Sequence, residues 1–250
     1  MPKPYAGYDP SLPKSIIKIS YPSGEEITID DLVKKPASSP KENTIESVLN
    51  QLSRKDFEKT KTEFIKVAKL ETDSPKIAAS ILDQALTDPN FVDLYVALAK
   101  TLDNKNVTSA LLNSCQDEFQ KESPASKFFK NESDNNADGM WEEEEQFRKR
   151  RTNNLLLLGE LFKSGLLNKK ATQSIINELL EKCSSQEDYP VQEYCTFLNA
   201  VGPHLSSDQE YIVSVMSRTD ALAQSLQGLL QEDLKDLLNL YNNGWQVRYN

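Results

Sequence analysis

The chain has 250 residues, 38% of them hydrophobic, and its formal net charge is −9. This charge excludes a surface that binds nucleic acid along its whole length, because such binding needs basic surface; any RNA contact must be local. The three cysteines are far apart in sequence, which favours reduced thiols in a cytoplasmic protein over a disulfide scaffold. The sequence shows no apolar stretch approaching the roughly 18 residues of a membrane span, so we expect no membrane partner.

Residues 1–43 form the first predicted region. They hold seven of the twelve prolines, which do not fit helix interiors, and this predicts an extended or disordered leader. Inside the leader, "IIKIS" and "EEITI" alternate apolar and polar residues on either side of a "PSG" turn. We expect these short β-like strips to lie along another surface rather than to form a sheet.

Residues 44–250 form the second predicted region, in which apolar residues recur at helical spacing. Ten helical segments are predicted, joined mostly by short turns, at 44–52, 53–70, 73–86, 88–102, 106–120, 141–162, 170–183, 190–200, 207–224 and 226–241. The pattern predicts an all-α fold, a HEAT-type solenoid of about five antiparallel helix hairpins. The polar stretch 122–140 predicts a disordered insert loop within it.

Several residues mark where these helices begin and end. Thr44 is the predicted N-terminal cap of the first segment. Ser74 is the predicted cap of the third, with Pro75 at the first helical position, which proline prefers. Gly165 predicts the end of the leucine-rich helix.

Residues suited to catalysis are scarce. The single histidine, His204, follows Pro203 and has no cysteine or acidic cluster nearby at metal-ligand spacing. The sequence contains no GxxxxGK[ST] or GxGxxG motif to hold nucleotide phosphates. Consecutive carboxylates in "WEEEEQ" fan around a helix instead of facing one metal ion. We therefore predict no catalytic residue, no metal site and no cofactor, and expect that the protein is not an enzyme.

A basic segment, Arg148–Arg151, runs directly into a run of leucines. Glu144 and Glu145 lie four residues before Arg148 and Lys149, so helical pairing can neutralise those two cations but not the last two. One interpretation is a solvated, partly neutralised turn. The other is a local positive edge that binds carboxylate or phosphate, because arginine holds both well.

Six motifs in this order resemble those of the middle domain of eukaryotic translation initiation factor 4G. They are "VLNQLSRKDF", "DPNFVDLYVALAKTL", "LLNSCQDEF", the basic segment, "GELFKSGLL" and "LLQEDLKDLLNLYNNGWQVRYN". The leader strip "IIKISYPSGEEITI" is similar to the one that precedes this domain in the family. The resemblance covers residues 16–250. Asn153 and Leu156 stand where the family has a glycine and a lysine.

The resemblance implies a translation-initiation scaffold that clamps the two RecA-like lobes of a DEAD-box RNA helicase, initiation factor 4A, and so speeds its cycle. It implies mRNA as a second partner. The implied helicase contacts are Asn50, Leu52, Phe57, Pro89, Asn90, Phe91, Trp245 and Arg248, and the implied contacts with RNA or helicase are Arg148, Lys149, Arg150 and Arg151. The alternative for the aromatic residues among them is a place in the core.

Other functions remain open at this point. Related middle domains act as adaptors in mRNA decay, splicing and nuclear cap binding, and a competitive helicase inhibitor or a passive RNA-binding adaptor would have the same fold. A cap-binding protein would need an unrecognised motif, because Tyr5 and Tyr8 are each followed five residues later by proline, not leucine. The helicase ATPase separates these functions, since an activator raises it, an inhibitor lowers it and a passive adaptor leaves it unchanged.

Overall fold

A computed structural model of the chain describes residues 19–20, 26–27, 44–126, 137–185, 188–205 and 208–246. The chain divides into two units, at Glu42 and Asn43, and each is described by itself. In the first unit, β1 (Ile19–Ser20) pairs antiparallel with β2 (Glu26–Ile27), with Ile19 opposite Ile27. The expectation that the two strips do not form a sheet is therefore wrong at these residues. The two short strands supply backbone hydrogen-bond partners for each other.

The second unit consists of helices throughout its described residues. Their bounds are α1 (Ile45–Leu49), α2 (Phe57–Leu70), α3 (Ser74–Thr87), α4 (Val92–Thr101), α5 (Lys105–Gln120), α6 (Ala137–Lys163), α7 (Lys169–Lys182), α8 (Asp188–Leu205), α9 (Gln209–Ser225) and α10 (Leu229–Asn242), with 3₁₀ turns at Pro89–Phe91 and Cys183–Ser185.

Consecutive helices pack in pairs, and the pairs stack on one another. The five pairs are α1–α2, α3–α4, α5–α6, α7–α8 and α9–α10; α3 packs on α5 and α6, α6 on α8, and α8 on α10. One continuous core runs through the stack, with fully buried side chains from every pair, such as Phe64, Leu98, Leu155, Tyr194 and Leu234. The predicted all-α, HEAT-type solenoid is confirmed.

The leucine-rich part of α6 is enclosed by its neighbours, as its sequence predicts. Leu155, Leu157, Leu158 and Leu161 are buried. A Cβ atom added to Gly159 would lie 2.8 Å from the Cβ of Ala200. Glycine at this position therefore lets α6 approach α8 more closely than any other residue would.

Local signals set several helix ends. Thr44 caps α1 in a capping box with Ser47, and Gly165, at φ 81°, follows the end of α6, both as predicted. Ser74 is not a cap. The Asp73 carboxylate accepts the Lys76 N–H and takes that position one residue earlier, because a carboxylate suits the helix dipole better than a hydroxyl does.

The predicted insert loop, 122–140, is too long at its C-terminal end. Helix α6 begins at Ala137, so residues 137–140 are helical. Residues 127–136 of that stretch lie outside the described part of the chain.

Candidate interaction surfaces

The first surface, which we call the first edge, consists of residues 50–57 and the 3₁₀ turn Pro89–Phe91. Arg54 joins its two parts. Its Nη1 lies 2.7 Å from Asp93 Oδ2, and its Nη2 donates to Asp93 Oδ1 at 3.0 Å and to the Asn90 carbonyl at 2.8 Å. Its guanidinium lies 5.7 Å from the centre of the Phe91 ring. The structure thus brings together two motifs that are about 35 residues apart in sequence.

Six of the predicted helicase contacts lie on this first edge, with unequal exposure. The side chains of Asn50 and Asn90 are exposed, and the Asn90 amide donates to Asp88 Oδ1 at 3.2 Å. Phe57, Pro89 and Phe91 are half-buried, and the two phenylalanines pack on the core with one face. Leu52 is buried and belongs to the core.

Arg54 of the first edge and its partner Asp93, on the adjoining helix α4, were not among the predicted contacts. Each lies inside a motif that carries the resemblance, but no local signal indicates that the two side chains meet. Glu58 lies four residues after Arg54, so helical spacing alone would pair Arg54 with Glu58 and not with Asp93.

The basic segment lies in the middle of helix α6, between Ala137 and Lys163. The interpretation of this segment as a solvated turn is therefore wrong. The acidic residues that precede it continue the same helix. Arg148 Nε lies 2.9 Å from Glu144 Oε1, which is the predicted four-residue pairing, and its guanidinium lies 4.8 Å from the Tyr189 ring centre.

The two arginines that the sequence analysis left unpaired find partners on other helices. Arg150 Nε donates to Glu118 Oε1 at 2.9 Å, and its Nη2 donates to Asp83 Oδ1 at 2.8 Å. The Arg151 side chain is 7% exposed and pairs with Glu193, which is 3% exposed. We therefore correct the assignment of Arg151 as a contact residue, because a buried side chain cannot reach a partner.

The surroundings of Arg151 complete a buried polar cluster between α5, α6 and α8. Its Nη1 donates to the backbone carbonyl of Phe119 at 2.6 Å, and its guanidinium lies 4.7 Å from the centre of the Phe119 ring. Burial raises the pKa of the Glu193 carboxyl, and the neighbouring Arg151 opposes the rise. The cluster ties three helices together at the centre of the stack.

The C-terminal turn folds back on α8. Trp245 has a left-handed backbone, φ 64°, and its N–H donates to the Leu240 carbonyl at 2.8 Å. Its half-buried ring covers Gly202, where any added Cβ would overlap it, and it meets Tyr241 edge-on at 5.9 Å. Much of this ring is thus used in packing. Arg248, the other predicted contact of the tail, lies outside the described residues.

The rest of the described chain offers little reactive chemistry. It contains no group of three or more histidine, cysteine or acidic side chains that could hold a metal ion. Burial raises the pKa of the Cys115, Cys183 and Cys195 thiols to about 12, so these thiols stay protonated near neutral pH. Within the same residues, no helix is long and apolar enough to cross a membrane.

These features define a class of protein: a helical-hairpin repeat with exposed polar edges between its helices, the usual binding surfaces of such repeats. Residues 42–243 match the MIF4G domain family, and the chain belongs to that family. The prediction of a factor 4G middle-type domain is confirmed.

Two plant translation factors are among the proteins similar to this chain. The chain is 26% identical over 232 residues to eukaryotic translation initiation factor 4G of Cucumis melo. The aligned stretch covers 83% of this chain and 12% of that protein. It is 26% identical over 233 residues to the Oryza sativa factor of the same name, and this alignment covers 83% of this chain and 13% of that protein. The chain thus spans about an eighth of the length of these relatives.

A solved structure gives a further comparison. The crystal structure of the MIF4G domain of Trypanosoma cruzi translation initiation factor EIF4G5 superposes with a TM-score of 0.54 and 19% identity, over 81% of this chain and 95% of that chain. At this identity the likeness shows the fold alone.

Proposed function

We propose that this chain is a scaffold module of translation initiation that binds a DEAD-box RNA helicase, initiation factor 4A, and favours its closed state. The module acts by binding and not by catalysis, and the role implies a cytoplasmic location. The family and the names of its relatives support the general part of this proposal. The first edge supports the specific part, because Arg54 brings two predicted contact motifs into one exposed surface.

The first edge has the properties of a protein-binding surface. Two exposed asparagines offer donors and acceptors, and two half-buried phenylalanines offer apolar area that is already fixed by the core. Aromatic side chains beside a paired arginine are typical of the residues that dominate binding energy in interfaces. Because the turn is held by side-chain bonds, a partner meets a preorganised surface and loses little entropy in ordering it.

The basic segment has a smaller part in this proposal than its charge suggests. Lys149 is exposed and makes no ion pair with another described residue, and Arg148 and Arg150 are half-exposed but paired. We propose that RNA contact, if mRNA is bound here, goes through Lys149 and the outer sides of its two neighbours. Pairing within the protein lowers their attraction for phosphate.

Calorimetry and ATPase assays test the proposal. The chain, treated with ribonuclease, is mixed with initiation factor 4A, and binding is measured by calorimetry. RNA-dependent ATPase is then measured with and without the chain. We expect binding that survives ribonuclease and a faster ATPase. A slower ATPase would show an inhibitor, and no binding would exclude the helicase as partner.

A substitution on the first edge locates the contact. Asn90→Arg places a long cation on an exposed turn without touching the core, and we expect helicase affinity to fall by about tenfold or more. Asn106→Arg, at an equally exposed asparagine in the first turn of α5, is the matched control and should retain wild-type affinity. Equal affinities for the two variants would contradict the assignment of the first edge.

A further inference from the structure

A groove of about 920 Å³ runs between α8 and α10, and its lining includes no residue of the first edge or of the basic segment. Its α8 side is formed by Gln192, Cys195, Thr196 and Asn199. These positions are spaced i, i+3, i+4 and i+7, so they form one continuous stripe along the helix. An apolar stripe at this spacing would have been expected between packed helices, whereas this one is mostly polar.

The α10 side of the groove is polar in the same way. It presents Asp233, Asp236, Asn239 and Asn243, together with the leucines of its floor. Asp236 and Asn239 are three residues apart, and Asn239 and Asn243 four, so they share a face of α10. No lysine, arginine or histidine lines the groove among the described residues.

The polar side chains of the groove have unused bonding capacity. The carboxylates of Asp233 and Asp236 form no ion pair, and the amides of Asn199, Asn239 and Asn243 form no hydrogen bond, with any other described residue. Each amide can donate two hydrogen bonds and accept others, and each carboxylate accepts only. A cleft lined by one sign of charge concentrates ions of the opposite sign.

This arrangement matches the chemistry of an extended basic peptide. The backbone of an extended segment presents N–H donors and C=O acceptors that have no partners within the segment. Side-chain amides can satisfy both kinds of group, and two unpaired carboxylates suit the side chain of lysine or arginine. The negative charge opposes RNA phosphate, so the same groove does not suit a nucleic acid.

We propose that the α8–α10 groove binds an extended, lysine- or arginine-containing segment of a partner protein. Asn199, Asn239 and Asn243 hold its main chain, and Asp233 and Asp236 hold its basic side chains. The α8 stripe from Gln192 to Asn199 is eight residues long and rises about 10 Å along the helix, which corresponds to about three residues of extended peptide. This binding is separate from helicase binding at the first edge and does not depend on it.

Fluorescence polarisation with the whole chain tests the proposal. The probe is a fluorescein-labelled Gly-Lys-Arg-Lys-Gly amide. The first control peptide has glutamine at the three basic positions, and the second is methylated on the backbone nitrogens of those positions, which removes donors and keeps the charge. We expect saturable binding of the probe and at least about tenfold weaker binding of each control. Binding of the methylated peptide equal to the probe would overturn the role of the asparagines.

Two double variants of equal net charge locate the binding. Asp233→Asn with Asp236→Asn removes both carboxylates of the groove, and we expect about a tenfold loss of affinity for the probe. Glu210→Gln with Glu232→Gln removes two exposed carboxylates of α9 and α10 that do not line the groove, and should bind as the wild type does. Equal losses would show that the probe senses only the acidic field of the whole chain, and would overturn the proposal.

Two further measurements close the test. An unlabelled uridine-rich RNA should not displace the probe, and displacement would overturn the assignment to a peptide. Helicase affinity of the groove double variant should match the wild type. A result in which helicase binding fails and peptide binding persists, or the reverse, separates this proposal from the proposed function.

Discussion

The first edge and the basic segment each centre on an arginine–carboxylate pair, but in opposite environments. The side chains of Arg54 and Asp93 are 61% and 44% exposed, whereas those of Arg151 and Glu193 are 7% and 3% exposed. An exposed pair contributes little to stability, while a buried pair must be kept whole because either partner alone is an uncompensated charge. The basic segment is thus mainly structural, whereas Arg54 shapes the exposed surface of the first edge.

The largest effect is expected when the buried pair is broken. Arg151→Met leaves the Glu193 carboxyl buried without its partner, and we expect a loss of about 3–5 kcal/mol in the free energy of unfolding. Urea denaturation followed by circular dichroism measures it. Arg151→Met with Glu193→Leu removes both charges and should recover most of the loss. Wild-type stability of the single variant would show that the pair is not needed.

An intermediate effect is expected at Asn153, two residues after the end of the basic segment on α6. Its side-chain amide donates to the Leu86 carbonyl at 2.7 Å, one of the last carbonyls of α3, which have no partner within that helix. Asn153→Ala leaves this buried carbonyl unpaired, and we expect a loss of about 1–3 kcal/mol. Gln146→Ala, at an exposed position of the same helix, is the control and should unfold as the wild type does.

The smallest effect on stability is expected at the first edge. Arg54→Ala removes an exposed ion pair, so the midpoint of urea denaturation should not change measurably. The same variant should weaken helicase binding, because the Asn90 carbonyl and the Phe91 ring lose the group that fixes them. Comparable destabilisation by Arg54→Ala and Arg151→Met would contradict the conclusion that only the buried pair contributes to stability.

The parts of the fold that depend on local signals could be predicted from the sequence. Apolar periodicity located the helices, and Thr44 and Gly165 set two of their ends correctly, because a cap or a left-handed residue acts within one turn. The start of α6 at Ala137 could not be predicted in the same way. Its first three residues are Ala137, Asp138 and Gly139. Aspartate and glycine have low helix propensity, so no local signal marks a helix there.

The surfaces depend on contacts between distant residues, and these could not be predicted. Arg150 pairs with Asp83 and Glu118, which are 67 and 32 residues away in sequence. Charge spacing in a sequence predicts only pairs within one helix. For the same reason Arg151 was taken as exposed and Arg54 was overlooked. Motif resemblance named residues in both parts of the first edge, because it carries information about the fold that charge spacing does not.

The turn that closes over Gly202 gives this protein a built-in optical reporter. The only other tryptophan, Trp141, is 59% exposed, whereas the ring of Trp245 is half-buried against α8. Trp245 also follows Asn243, a residue of the α8–α10 groove, by two positions. Acrylamide should therefore quench the emission of Trp141 far more strongly than that of Trp245. With Trp141→Phe, the remaining emission would follow events at the last hairpin without any added dye.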